Sequence, residues 1–318
     1  MLRIINIGLI LSAVIIFAVG ILHAAPRADH TRFIQYVACT LPHTPPPEQE
    51  PSRAERITRA LVKAYPGRVE RAEFRGNDWA VLLRGTWFYY AGGRMMPENL
   101  LYRAEYYTPI AFYDNYPIEM PEWRAPSDEQ AAWLRERTAN RATHVRRRAP
   151  YFFDTLYQAR SREEAHSRTR VIRFLGHRIT VHYSIVNELA RVEETILAAA
   201  ITDPQIQAWK NNIRTMYAWN WRNIAGTQTR SFHSYGIAVD ILPRVTGGRE
   251  VFWAWAAARR PEWWNIPYSG RYHPPDAVIR AFELYGFVWG GKWLFFDTMH
   301  FEFRPEVMVL RGMELRRP

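Results

Sequence analysis

Two short stretches hold residue types that could do chemistry together. Ser231-Phe-His-Ser-Tyr-Gly-Ile-Ala-Val-Asp240 carries an imidazole and a carboxylate seven positions apart, and Asp297-Thr-Met-His-Phe-Glu302 begins 57 residues after Asp240. In the first, Ile237, Val239 and Ile241 alternate with Ala238 and Asp240, the period of a strand with one buried face. Asp240 and Ala238 share the other face, where the small Ala238 leaves room. A regular strand would put His233 opposite Asp240; Gly236 between them can turn the backbone and let both side chains converge. In the second stretch, His300 and Glu302 share one face, Phe301 and Phe303 fill the other, and Asp297 reaches the same site through a bend. Imidazole and carboxylate suit zinc. Two His and one Asp leave the fourth tetrahedral position to water, the pattern of a catalytic rather than a structural site. A carboxylate outside the ligand set is what such a site needs to take the water's proton.

A lone histidine on a strand is ordinarily a satisfied core or surface group, and His177, His182 and His273 carry only that reading. The two motifs together, each on a strand-like segment near an aromatic-glycine turn, rarely coincide by chance.

The elements that must position them follow from periodicity. Val171 to Gly176 and Ile179 to His182 read as paired strands around Gly176. Ser184 to Ala200 has apolar residues at helical spacing, Gln205 to Trp221 reads as a second helix, and Pro275 to Tyr285 as a third, stopped by Gly286. Upstream, Ile57 to Tyr65 is a short amphipathic helix ended by Pro66-Gly67, and Trp79 to Tyr90 reads as two strands around Arg84-Gly85. Residues 102 to 123 are rich in Tyr and Pro and show no clear period. Ser127 with Gln130 three residues on forms a capping box, opening a helix that runs into Arg146-Arg147-Arg148, read as a solvated helix end.

The pattern S-x-H-x-x-G-x-A-x-D followed by D-x-x-H resembles the zinc D-alanyl-D-alanine carboxypeptidases and L-alanyl-D-glutamate endopeptidases of peptidoglycan. Vancomycin-resistance dipeptidases and several phage endolysins are relatives of these enzymes, and the Hedgehog signalling domain shares their fold. The resemblance covers roughly residues 170 to 305. It implies an α+β fold with helices packed on an antiparallel sheet whose open face carries the metal, preceded here by a small β-rich region. It also implies zinc bound by His233, Asp240 and His300, Asp297 as general base, and Arg222 steadying the substrate carbonyl. Ser231 would line the site, and Gly290-Gly291-Lys-Trp293 resembles the Gly-Gly-x-Trp turn of the endopeptidase branch, with Trp293 against substrate. Arg222 lies only 11 residues before His233, closer than in many relatives. The carboxypeptidase and dipeptidase branch usually carries Glu where this chain has Asp297, which tilts the reading towards the endopeptidases. The bond cleaved stays open between the two. A non-catalytic zinc-binding wall or signalling module is the rival, and a retained base beside an open metal position argues against it.

Composition bounds the rest. With 318 residues, 48% hydrophobic and 23% charged, the chain is long enough for a real core. Only one segment approaches membrane-spanning length, which excludes a multi-span membrane protein, and Cys39 is alone, which excludes a disulfide scaffold. The formal charge of +11 is almost all arginine, with lysine only at 63, 210 and 292. No nucleic-acid-binding motif accompanies it, so nucleic acid is not an expected partner. Arg3 precedes an apolar run from Ile4 to Leu22, which reads as an export signal or a retained membrane anchor. The expected organisation is a signal or anchor at 1–25, a Pro-rich linker at 26–56, a small β-rich region of unknown role at 57–125, a basic helix and linker at 126–150, and a zinc metallopeptidase domain at 151–318. The partners expected are peptidoglycan stem peptides, with the catalytic part periplasmic or wall-facing.

Overall fold

A computed structural model describes residues 51–113, 116–139 and 147–316. The signal or anchor segment at 1–25, the linker through residue 50 with Cys39, and Arg146 lie outside them. No helix among the described residues is long and apolar enough to cross a membrane.

The fold is α+β. Helix α1 (Arg53–Ala64) starts four residues before the expected Ile57, because the Ser52 hydroxyl accepts the Glu55 N–H (3.2 Å) and caps it. Its buried stripe of Ile57, Ala60, Leu61 and Ala64 faces the core. A meander follows: β1 (Val69–Arg75), β2 (Asp78–Leu83), β3 (Thr86–Tyr89) and β4 (Met96–Pro97) pair antiparallel in chain order. Arg84 and Gly85 both have positive φ (50° and 75°), which suits the right-handed twist of a tight hairpin. After a 3₁₀ stretch at Glu98–Tyr106 the chain runs largely without regular elements to α2 (Asp128–Ala139). The capping box there is real: the Ser127 N–H donates to Gln130 Oε1 (2.8 Å), and the Gln130 N–H donates to Ser127 Oγ (3.3 Å).

The basic run departs from expectation. Arg147 and Arg148 lie in non-helical backbone, and the Arg148 guanidinium sits 3.9 Å from the centre of the Phe232 ring rather than in solvent. Beyond it come α3 (Tyr151–Tyr157), α4 (Arg162–Ser167) and the hairpin of β5 (Thr169–Phe174) and β6 (His177–His182), turning at Leu175-Gly176 as expected. Helix α5 (Val186–Ala200) also matches. The helix expected over Gln205 to Trp221 does not: α6 (Pro204–Asn211) stops early, and Ile213–Tyr217 is a strand, β7. Pairing with β8 decides that segment, overriding its local pattern.

Strands β8 (Ala238–Pro243), β9 (Phe287–Trp289) and β10 (His300–Phe303) complete a second antiparallel sheet in the order β7-β8-β10-β9. Between β8 and β9 lie α7 (Trp253–Ala257) and α8 (Asp276–Leu284); α9 (Pro305–Leu310) closes the described chain. Helix α8 covers one face of this sheet, with Phe282 stacked on Phe301 at 3.9 Å. A single buried cluster runs from Ile57 in α1 to Phe303 in β10, so the meander and the second sheet share a core.

Candidate metal centre

The covered face of the second sheet is apolar, and the opposite face gathers the polar residues of both motifs. Asp240 and His300 are direct cross-strand partners on β8 and β10, so their side chains stand side by side. His233 arrives from a 3₁₀ turn, Phe232–Tyr235, whose exit is Gly236. That glycine has φ +70°, and a Cβ there would meet the His182 backbone nitrogen at 2.7 Å. The expected backbone turn is therefore present, and only glycine allows it.

The three side chains converge. His233, Asp240 and His300 each offer one ligand atom, all within 4.8 Å of one another. His233 Nδ1 lies 2.6 Å from the Ala218 carbonyl, which can only accept, so Nδ1 carries the proton and Nε2 faces Asp240 Oδ2 at 3.2 Å. His300 Nδ1 is 2.8 Å from Asp240 Oδ1, and its Nε2 is 3.1 Å from Glu302 Oε2. Burial alone would raise the Asp240 pKa, but the two imidazoles outweigh it and hold the carboxyl well below the usual carboxylate range. Burial works against a charged His300, yet its bonds to Asp240 and Glu302 raise its pKa well above the ordinary value. A proton on His300 Nδ1 lies between two atoms that are both of ligand type.

This donor set fits zinc. Two imidazole nitrogens and one carboxylate face a common point, and each imidazole has its other nitrogen tied to an acceptor, the arrangement that orients metal-bound histidines.

Asp297 is the second carboxylate. Its N–H donates to the Gly290 carbonyl (3.0 Å), and a Cβ at Gly290 would come within 2.6 Å of the Asp297 carbonyl oxygen. The glycine pair thus permits the close turn that carries the acid. Asp297 Oδ1 is buried with no hydrogen-bond partner among the described residues. Burial pushes this carboxyl up to about 7, against the pull of His300 and with a further push from the Asp240 charge.

The other expected residues are placed differently. Arg222 is exposed, with Nη1 3.3 Å from the Asn223 carbonyl, and its charge is felt at Asp297. Ser231 is buried, and its hydroxyl accepts the His233 N–H (3.3 Å); its observed contact is with the turn that holds His233, not with the open face. Trp293 stacks on Tyr113 (5.3 Å, 11°), lies 5.6 Å from the His300 ring, and keeps its indole N–H without a partner among the described residues.

Sequence reasoning put Glu302 on the face of His300 but gave it no role. The signal was the two-residue spacing; the bond to Nε2 needed coordinates. The Ala218 carbonyl carried no sequence signal at all.

Comparison with known proteins agrees with this geometry. Residues 58–112 match a family model described only as a domain of unknown function. No curated protein and no solved structure matches the chain. Residues 225–303 match the model of the D-alanyl-D-alanine carboxypeptidases, whose members are zinc-dependent, and the segment holds all three converging side chains as well as Asp297. That segment is well short of half the chain, and what it shows is that residues 225–303 are similar to the D-alanyl-D-alanine carboxypeptidase family.

Proposed function

We propose that this chain is an exported zinc peptidase that hydrolyses peptide bonds in peptidoglycan stem peptides. The observation that carries the reading is the pairing of a convergent His-Asp-His group with a buried carboxylate whose Oδ1 has no partner among the described residues. His233, Asp240 and His300 would hold the metal. Zinc there would supply a Lewis acid that polarises the scissile carbonyl and lowers the pKa of water. Asp297 accepts a proton from the attacking water and returns it to the departing amine, the two transfers asked of a carboxylate that stands beside the ligand set without belonging to it. Arg222, exposed and with its charge felt at Asp297, steadies the substrate carbonyl and its developing negative charge. Trp293 offers an aromatic wall and a donor beside His300. Ser231 serves substrate binding through the turn it caps.

Digestion of purified muropeptides followed by mass spectrometry tests this. Loss of a terminal D-alanine marks a carboxypeptidase; a cut between L-Ala and D-Glu marks the endopeptidase favoured by Asp297 and the Gly-Gly-x-Trp turn. Intact muropeptides with a zinc-loaded protein would instead support a non-catalytic wall or signalling module. The place of action is proposed to be periplasmic or wall-facing, with residues 1–25 as signal or anchor. Fusing residues 1–60 to a reporter active only outside the cytoplasm checks it, and a soluble cytoplasmic product would refute export.

A further inference from the structure

The N-terminal region reaches the metal centre through one buried arginine. Arg304 donates from Nη1 to Glu302 Oε1 (3.3 Å), from Nε to Glu306 Oε1 (2.5 Å) and from Nη2 to the Ala111 carbonyl (2.8 Å). Each carboxylate uses its other oxygen elsewhere. Glu302 Oε2 takes His300 Nε2 (3.1 Å), and Glu306 Oε2 takes the Tyr65 hydroxyl (2.7 Å). The result is a continuous chain Tyr65–Glu306–Arg304–Glu302–His300, in which the exposures are 1%, 0%, 1%, 3% and 8%. Tyr65 and Ala111 both fall in the segment that matches a domain of unknown function.

Packing alone does not call for this chain. Helix α1 already buries Ile57 and Leu61 in the shared core, and buried ionic groups are a weak source of stability compared with apolar ones. What the chain does supply is orientation. Glu302 can only accept from Nε2, so it fixes the proton there and turns Nδ1 towards Asp240. Glu302 is itself aimed by Arg304, whose Nε and Nη2 are held by Glu306 and by the Ala111 carbonyl.

We propose that residues 65 to 111 act as a positioning part of the metal centre: Tyr65 and Ala111 set Arg304, Arg304 sets Glu302, and Glu302 sets the ligating orientation of His300. The inference rests on the metal-site reading above, and it assigns a task to a region whose role the family comparison leaves open.

The test uses the full chain and reads metal binding rather than turnover. Zinc affinity is measured by chelator competition, the cobalt-substituted protein gives a visible ligand-field spectrum, and thermal melts run alongside. Glu302→Gln should weaken zinc about 10–100-fold, as loss of such outer partners does. Tyr65→Phe removes one hydroxyl on the far side of Arg304; it should weaken zinc several-fold and shift the cobalt bands. Ile57→Val, a packing change on the same helix outside the hydrogen-bonded chain, should lower the melting temperature and leave zinc affinity alone. Tyr65→Phe with the parent's affinity and spectrum would overturn the proposal, as would Ile57→Val weakening zinc equally. A zinc-loaded parent inert on muropeptides would sink only the peptidase reading, while a parent that takes up no zinc would sink both.

Discussion

At Lys292 the ammonium donates to the carbonyls of Pro117 (3.0 Å) and Ile118 (2.8 Å) and to Glu283 Oε1 (2.6 Å), so its three N–H bonds all have acceptors. Glu283 also takes the Tyr116 hydroxyl (2.6 Å). Eight residues on, His300 stands among Asp240, Glu302 and His233 with acceptors in excess, and Asp297 Oδ1 has no donor among the described residues. Both clusters are buried and ionic. The first is closed: opposite charges and donors match, and it ties residues 116–118 to α8 and to the turn that follows β9. The second is open: its ligand atoms face one another, an arrangement that suits a cation. Burial and charge alone do not mark a functional site; an unmatched donor and acceptor count does.

The comparison breaks most sharply at the metal ligands. His233→Ala should bring zinc from near-stoichiometric to near zero and abolish turnover, as read by metal analysis and muropeptide cleavage. A fully loaded variant would remove His233 from the ligand set. Asp297→Asn should keep zinc but lower kcat on the order of 10²–10⁴-fold, since a base moves protons and does not ligate. If it lost its metal while Asp240→Asn retained it, the two carboxylates would exchange roles.

The closed cluster should answer in stability instead. Lys292→Met leaves the Glu283 charge buried without its cation and should cost about 3–5 kcal/mol in urea unfolding, with zinc affinity unchanged. Adding Glu283→Gln removes the stranded charge and should recover much of that loss.

The open cluster should also answer to pH. The His300 pKa is raised well above 6.5, and its Nδ1 proton occupies a metal-facing position. Zinc must displace it, so apparent affinity should rise with pH, about tenfold per unit while one proton is exchanged. The metal-free protein should show the companion effect. Stability from the raised His300 is full below the unfolded value and lost as pH rises through the folded one. Chelator competition and melts across pH check both; a flat affinity would contradict the proton bridge. Gly236→Ala combines φ +70° with a contact at 2.7 Å to the His182 backbone nitrogen, so the loss read in the same melts should exceed about 1–2 kcal/mol, the cost of the left-handed conformation alone.

Local pattern alone placed much of this molecule. Ser127 and Gln130 cap α2, Arg84-Gly85 and Leu175-Gly176 turn hairpins, and the alternation that begins at Ile237 continues through Val239 and Ile241 in strand β8. These succeed because each depends on residues within a turn or a strand period. The same logic brought His233, Asp240, His300 and Asp297 forward, since a strand spacing and a glycine turn are readable in one dimension. Pairing was not readable. Ile213–Tyr217 became a strand because β8 offers it a ladder, and Arg148 left solvent because Phe232 offers it a ring. Nor could any spacing show Tyr65 and Glu306, 241 positions apart, sharing a hydrogen bond at the far end of the chain that reaches His300. Sequence determined which side chains could ligate or carry a proton, because that is a property of residue type and local period. The tertiary structure decided which acceptors are left unmatched and what aims His300, because both depend on groups that meet only when distant segments pack.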